Sequence, residues 1–211
     1  MSPKGRPEDE YRSAQHEGSA VWPALVLAAF VLATGMAITG CVPAVIAVGA
    51  GSAALVATDR RTTGTQVDDE GVEIKIGNQV NAQFGDRVHV NATSYNGVVL
   101  LTGEVPDQGV SASIGNIAKN TEKVRVVQNE LVVGPNTDMS ARTNDSYITS
   151  KVKSRFVEAS KFPPNAVKVV TERGVVYLMG IVSRSEGDAA GETAATTSGV
   201  VRVVKVFEYR A

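Results

Sequence analysis

The chain of 211 residues has a single cysteine, so it holds no internal disulfide and no metal site built from cysteines alone. Two histidines leave little for imidazole-based catalysis. Aromatic residues make up 5% of the chain, which excludes a binding platform of stacked rings. The formal net charge of −1 gives no overall basic field, so no nucleic-acid partner is expected. Twenty glycines and eight prolines follow no collagen-like period. A phosphate-cradling glycine loop is also missing, because the glycines fall in turns and at strand ends. What is there is a globular composition, 43% apolar and 20% charged, with length for one or two domains.

The apolar residues are unevenly spread. Residues 20–57 hold almost no charge, and Asp59 ends the run. Ala24 to Ile38 has the length of a secretory hydrophobic segment. The region before it carries Lys4, Arg6 and Arg12 together with Glu8, Asp9, Glu10 and Glu17. It is longer and more acidic than a usual leader start, which leaves the true start open. The lone Cys41 closes the run within Ile38-Thr39-Gly40-Cys41. An apolar residue, a small residue, glycine and cysteine resemble a bacterial lipobox. Residues 1–40 then read as a signal peptide, and Cys41 as the lipidated first residue of the mature chain. A buried core cysteine or a plain transmembrane helix over residues 20–40 are the alternatives. Several acyl chains, at about 0.8 kcal/mol per buried CH₂, hold a protein firmly on a bilayer. Val42, rather than Asp, follows the cysteine. In lipoproteins of this type that implies the inner leaflet of the outer membrane. Residues 42–57 are small and apolar and include Pro43. They are short for a stable span, and read either as a juxtamembrane stretch or as an extension of the hydrophobic segment.

The rest of the chain reads twice. Gly97-Val98-Val99-Leu100-Leu101-Thr102-Gly103 recurs as Gly174-Val175-Val176-Tyr177-Leu178-Met179-Gly180, an offset of 77. Val124-Arg125-Val126-Val127 recurs as Val201-Arg202-Val203-Val204 at the same offset. Ile76, Val80 and Phe84 return as Ile148, Val152 and Phe156, one apolar stripe of a helix. Asn144 or Asp145 is the candidate N-cap of the second of these helices. Strands are expected over Val88–Thr93 and Val98–Gly103, and over Val167–Thr171 and Val175–Gly180. Asn96-Gly97 signals a tight hairpin between the first pair. Pro106-Asp107 and Ser183-Arg184-Ser185-Glu186 open a second helix, and Val124–Val133 and Val200–Tyr209 form a last strand. The expected class is α+β: two tandem α-β-β-α-β units, each a three-stranded mixed sheet covered on one face by two helices. The β-α-β part predicts a parallel, right-handed crossover. The domain scheme is a tether over residues 41–69, a first unit over 70–134, a linker over 135–143 and a second unit over 144–211. Packing between such small units is expected.

The duplicated V-x-L-x-G strand with its V-R-V-V partner resembles the BON domain family. A lipobox, a small apolar stretch, Gly64-Thr65-Gln66-Val67-Asp68-Asp69 and two such repeats resemble its outer-membrane lipoproteins. The resemblance implies a non-enzymatic envelope protein without a cofactor. It also implies that the protein supports envelope integrity and binds anionic phospholipid, of the phosphatidylglycerol kind, through the first helix of the second repeat. An aromatic stands in the family where Tyr147 stands here.

Charge is an independent check. Residues 144–211 carry ten basic and seven acidic side chains, whereas residues 41–143 carry eight basic and eleven acidic. Tyr147, Lys151 and Arg155 lie one position beside the apolar stripe, with Val157 off its other side. The expected lipid-binding residues are Tyr147, Ile148, Lys151, Arg155, Val157 and Lys161, with Val152 shared between core and surface. An alternating, merely solvated helix face is the bland reading of the same charges. An enzyme is not expected. His89, in Arg87-Val88-His89-Val90, is expected on an outward strand face, and Asp68-Asp69-Glu70 read as cap and dipole partners of a helix start. Docking onto outer-membrane assembly proteins or another periplasmic partner is the rival function, followed by peptidoglycan contact.

Overall fold

A computed structural model describes residues 59–210, and the element order repeats once along them. The signal-peptide and Cys41 readings lie outside the described residues. In the first repeat, helix α1 spans Thr63–Phe84, strand β1 His89–Tyr95, β2 Val98–Val105 and helix α2 Gln108–Asn120, followed by β3 Val126–Asn129 and β4 Val132–Val133. The second repeat has helix α3 over Met139–Ala159, β5 over Lys168–Glu172, β6 over Val175–Val182, helix α4 over Arg184–Ala195 and β7 over Arg202–Tyr209. Each hairpin is antiparallel, and the last strand joins the hairpin's second strand in parallel. The expected α+β architecture of two mixed sheets is therefore present. Among the described residues no helix is long and apolar enough to cross a membrane.

Both hairpins turn on two residues with positive φ. Asn96 and Gly97 have φ of 53° and 73°, and Arg173 and Gly174 have the same two values. This is the left-handed pair that matches the twist of a two-residue hairpin. Asn-Gly adopts it readily. Arg173 has no such intrinsic preference, so something else holds it there.

The holder is a buried aspartate. Asp145 does not cap α3: the helix starts at Met139, and Asp138 is its N-cap, accepting from the Ala141 N–H. Asp145 sits two turns further in, 5% exposed, and accepts the backbone N–H groups of Arg173 and Gly174, each at 2.8 Å. The first repeat does the same. Asp69 accepts from Asn96 N at 2.7 Å, Gly97 N at 2.9 Å and the Ser94 hydroxyl at 2.6 Å. Helix α1 begins at Thr63 with Thr62 as N-cap, so Asp69 is no start-of-helix partner either. Burial works against its charge, but these donors and the Arg61 guanidinium outweigh that and hold its carboxyl below the ordinary range. A hydrogen-bonded carboxylate thus pins each hairpin to the first helix of its own repeat.

The strands alternate between two cores. Val99, Leu101 and Val105 pack with Val72, Ile76, Val80, Phe84, Ile114 and Ala118 beneath α1 and α2. Val176, Leu178 and Val182 pack likewise with Ile148, Val152, Phe156, Phe162, Ala190 and Ala194 beneath α3 and α4. The opposite sheet faces meet each other: Tyr95 and Leu100 pack with Tyr177 and Met179. The Tyr177 hydroxyl is pushed up to about 12, chiefly by this burial. The two repeats therefore share a third core, the expected inter-repeat packing. A fragment of residues 144–211 alone would expose it and would also cut α3 short.

The last strand of the first repeat is not the continuous Val124–Val133 expected from sequence. It breaks between Asn129 and Val132. The Asn129 side-chain oxygen accepts the Leu131 N–H, and its amide donates to the Ser111 carbonyl and hydroxyl. This local bonding draws the Leu131 N–H out of the ladder, while the Glu130 N–H still donates to the Leu101 carbonyl at 2.9 Å. In the second repeat β7 pairs with β6 without a break from Arg202 to Tyr209.

The segment preceding α1 is fastened across both repeats. Arg60 donates to both carboxylate oxygens of Glu186, at 2.6 and 2.8 Å, and to the Ile181 carbonyl at 2.7 Å. Arg61 donates to Asp59 and Asp69 and lies 4.0 Å over the Tyr95 ring. The Arg60 hydrogen bonds, with the Ser183 donors, lower the Glu186 carboxyl from 4.5 to about 2. A carboxylate depressed on folding stabilises above its unfolded value and loses that contribution as pH falls through the folded value. Stability is therefore expected to drop between pH 4.5 and about 2, on the order of 1–3 kcal/mol after allowance for solvent screening. Comparing urea midpoints at pH 7 and pH 3 checks this: the gap should narrow in Arg60→Ala, and an unchanged gap would show that another group is responsible.

Candidate functional site

Helix α3 is placed by its inner face. Ile148, Val152 and Phe156 are essentially fully buried and anchor it on the second sheet. This corrects the sequence expectation at two positions. Ile148 and Val152 lie wholly in the core and cannot be shared with a surface.

The remaining candidates divide by position. Tyr147 and Val157 are exposed, at 61% and 62%. Lys151 reaches over the Tyr147 ring, 4.6 Å from its centre, and donates to the Ser198 carbonyl. Arg155 is half-buried: its guanidinium donates to the Thr193 carbonyl at 3.2 Å and the Thr197 hydroxyl at 3.1 Å, tying α3 to α4. Lys161 is exposed, with Glu192 no nearer than 3.9 Å. Arg155 thus serves the packing of the two helices, while Tyr147, Lys151, Val157 and Lys161 face outward.

Two further outward side chains join them beyond the expected lipid contacts. Met139 is 72% exposed and opens α3. A helix start at residue 144 leaves it out, and the Asp138 cap is the signal that could have found it. Lys153 is exposed and lines a cleft of about 470 Å³ with Val157, Lys168, Arg61 and Tyr95. The result is a helix surface of Met139, Tyr147 and Val157 set among Lys151, Lys153 and Lys161. Its exposed acid is Glu158, which accepts from Ser154.

The matching helix of the first repeat is the opposite in charge. α1 also exposes apolar side chains, Val67 and Ile74. Around them stand Asp68, Glu70 and Glu73 against Lys75 alone. One fold, used twice, presents one acidic helix and one basic helix.

His89 departs from its expected outward position. It is half-buried, with Nδ1 2.9 Å from Glu104 Oε2. Glu104 is fully buried and also accepts from the Thr137 N–H at 3.0 Å and hydroxyl at 2.7 Å. Burial opposes its ionisation, but these donors prevail and lower its carboxyl below the ordinary value. Glu172, from the second repeat, lies beside them; burial pushes its carboxyl up, and Asn91 donates to it at 3.1 Å. The alternation of Val88, His89 and Val90 gives the correct face, but that face is covered by the other repeat rather than by solvent. The hairpin register, which sets His89 opposite Glu104, is already implied by a two-residue Asn96-Gly97 turn.

Comparison with known proteins agrees with this geometry. The BON domain profile matches residues 68–135 and 144–211. The chain is 45% identical over 183 residues to the outer membrane lipoprotein DolP of Haemophilus influenzae, covering 86% of this chain and 94% of that protein. It is 38% identical over 153 residues to a 21 kDa hemolysin of Actinobacillus pleuropneumoniae, covering 72% and 79%. It is 30% identical over 148 residues to the osmotically-inducible protein Y of Escherichia coli, covering 66% and 72%. With two pinned hairpins, two mixed sheets and a profile match over both repeats, the chain belongs to the BON domain family and is a DolP-like member of it.

Proposed function

We propose that this protein is an outer-membrane lipoprotein, anchored through Cys41, whose second BON domain docks on anionic phospholipid by the exposed face of α3 and thereby supports the envelope. The near-full-length similarity to an outer membrane lipoprotein supports the location. The observation that carries the docking is the surface of Met139, Tyr147 and Val157 ringed by Lys151, Lys153 and Lys161, beside an equivalent helix in the first repeat that is acidic. Each lysine near an anionic surface contributes about 1 kcal/mol, and a tyrosine is at home at the lipid–water boundary. Such docking is reversible and needs the anchor for permanence.

A fragment of residues 59–211 retains all three cores and the arginine pair that precedes α1. It is expected to float with vesicles containing phosphatidylglycerol and to remain behind with purely zwitterionic vesicles. Raising the salt should weaken flotation, since exposed charges are screened. Flotation that ignores lipid charge, or none at all, would favour the second reading, a protein-docking module. That reading draws on Val67 and Ile74, apolar and exposed on the acidic α1, a surface suited to a basic partner protein of the outer membrane.

A further inference from the structure

The boundary between the two repeats contains a donor set that the lipid-facing role does not use. His89 and Glu104 come from β1 and β2, and Glu172 from the end of β5. One ligand atom from each lies within 4.8 Å of the other two. A tetrahedral dication bound at about 2.0–2.2 Å spaces its ligands by about 3.4 Å, so a small inward adjustment closes this set.

We propose that His89, Glu104 and Glu172 form a binding site for a divalent cation of the zinc class that joins the two BON domains. The independent sign is an orphan. Glu104 is fully buried, yet its Oε1 accepts no hydrogen bond. The Arg173 guanidinium stands 3.8 Å from it, too far to donate. A buried carboxylate oxygen without a donor is costly, and a cation satisfies it directly. The other oxygen, Oε2, is oriented by Thr137 through both its N–H and its hydroxyl. That is the outer support expected of a ligating carboxylate. Asn91 plays the matching part for Glu172, donating its amide to Oε2 at 3.1 Å.

The chemistry of the set selects the ion. One imidazole and two carboxylates favour a borderline dication over magnesium or calcium, which take oxygen ligands alone. An entry path exists. An open cleft of about 330 Å³ is lined by His89, Asn91, Arg142, Asp145 and Glu172. Arg142 and Arg173 oppose cation entry, but the Arg173 side chain is 45% exposed and can turn to solvent. Because one carboxylate belongs to the second repeat, bound metal fixes the two repeats against each other.

The test uses the full chain in detergent, stripped with chelator and titrated with zinc chloride in a calorimeter, with magnesium chloride as the control. One zinc per chain, a displaced His89 imidazole resonance and a melting temperature raised by at least about 4 °C at saturating zinc are expected. His89→Asn and Glu172→Gln should each weaken binding at least tenfold, while Glu122→Gln, which removes an exposed carboxylate outside the set, leaves it unchanged. Equal zinc affinity in His89→Asn, in Glu172→Gln and in the unaltered chain would overturn the site. If those variants fold poorly, the unaltered chain decides: a His89 resonance unmoved at 100 micromolar zinc, on the order of common weak-site concentrations, would also overturn it.

Discussion

Gly103→Ala is expected to cost at least about 3 kcal/mol, enough to leave the first repeat largely unfolded at physiological temperature. Gly103 has φ of +118°, a region that side chains avoid, and an added Cβ would stand 1.9 Å from the His89 carbonyl oxygen. That oxygen belongs to the backbone of the paired strand β1, so no rotamer change relieves the clash. Gly180, at the same place in the second repeat, would put a Cβ 2.3 Å from the Ala166 carbonyl oxygen. Gly180→Ala should therefore behave alike through crowding alone. The contrast lies in α1. A methyl group added at Gly71 or Gly77 would meet nothing within 4 Å, so Gly71→Ala and Gly77→Ala should stabilise by roughly 0.5–1 kcal/mol through helix propensity. Urea unfolding of the four variants checks both directions. A Gly103→Ala protein as stable as the parent would mean that the strands can part by more than their ladder allows.

Asp145→Ala has the second largest expected effect, about 3 kcal/mol. The substitution takes the acceptor from the Arg173 N–H and from the buried Gly174 N–H. It also frees Arg173 from the left-handed conformation that an arginine does not choose unaided. Asp69→Ala should cost a similar amount. There Asn96 prefers the turn conformation on its own, but three donors and Arg61 lose their partner. Replacing Arg173 by Asn in the Asp145→Ala background should recover part of the loss, since Asn adopts positive φ readily. Amide exchange at Gly174 reports this turn specifically. Unaltered protection there in Asp145→Ala would exclude the pinning role.

The repeat, the element order and the helix-facing cores were legible in the sequence because period and offset encode them directly. Ile76, Val80 and Phe84 and their counterparts Ile148, Val152 and Phe156 are the buried stripe of each first helix, as their spacing says. The first turns of those helices were not legible, since Thr63–Gln66 and Met139–Arg142 carry no apolar period and only Thr62 and Asp138 mark their starts. The other face of each sheet was also hidden. Leu100, Tyr177 and Met179 alternate correctly, but alternation cannot say whether a face meets water or a second sheet. The same ambiguity misplaced His89 and concealed its approach to Glu172, a residue of the other repeat. In the proposed docking surface, the outward positions of Tyr147, Lys151 and Val157 followed from helix geometry. Arg155 was drawn inward by the Thr193 carbonyl and the Thr197 hydroxyl, which only the packed α4 supplies.

On the proposed function, a basic, apolar-tipped α3 carries the protein to anionic lipid. The direct measurement is the partition of the 59–211 fragment onto phosphatidylglycerol-containing vesicles, with and without Lys153→Glu and Val157→Glu together. Both side chains are exposed and outside the core, so the fold is expected to persist. Reversing one charge and replacing an apolar contact with another acid should lower the partition coefficient at least tenfold, at about 1 kcal/mol per charge near the surface. The mirror substitution on α1, Ile74→Glu, should leave it unchanged. A doubly substituted fragment that binds as well as the parent would contradict the account.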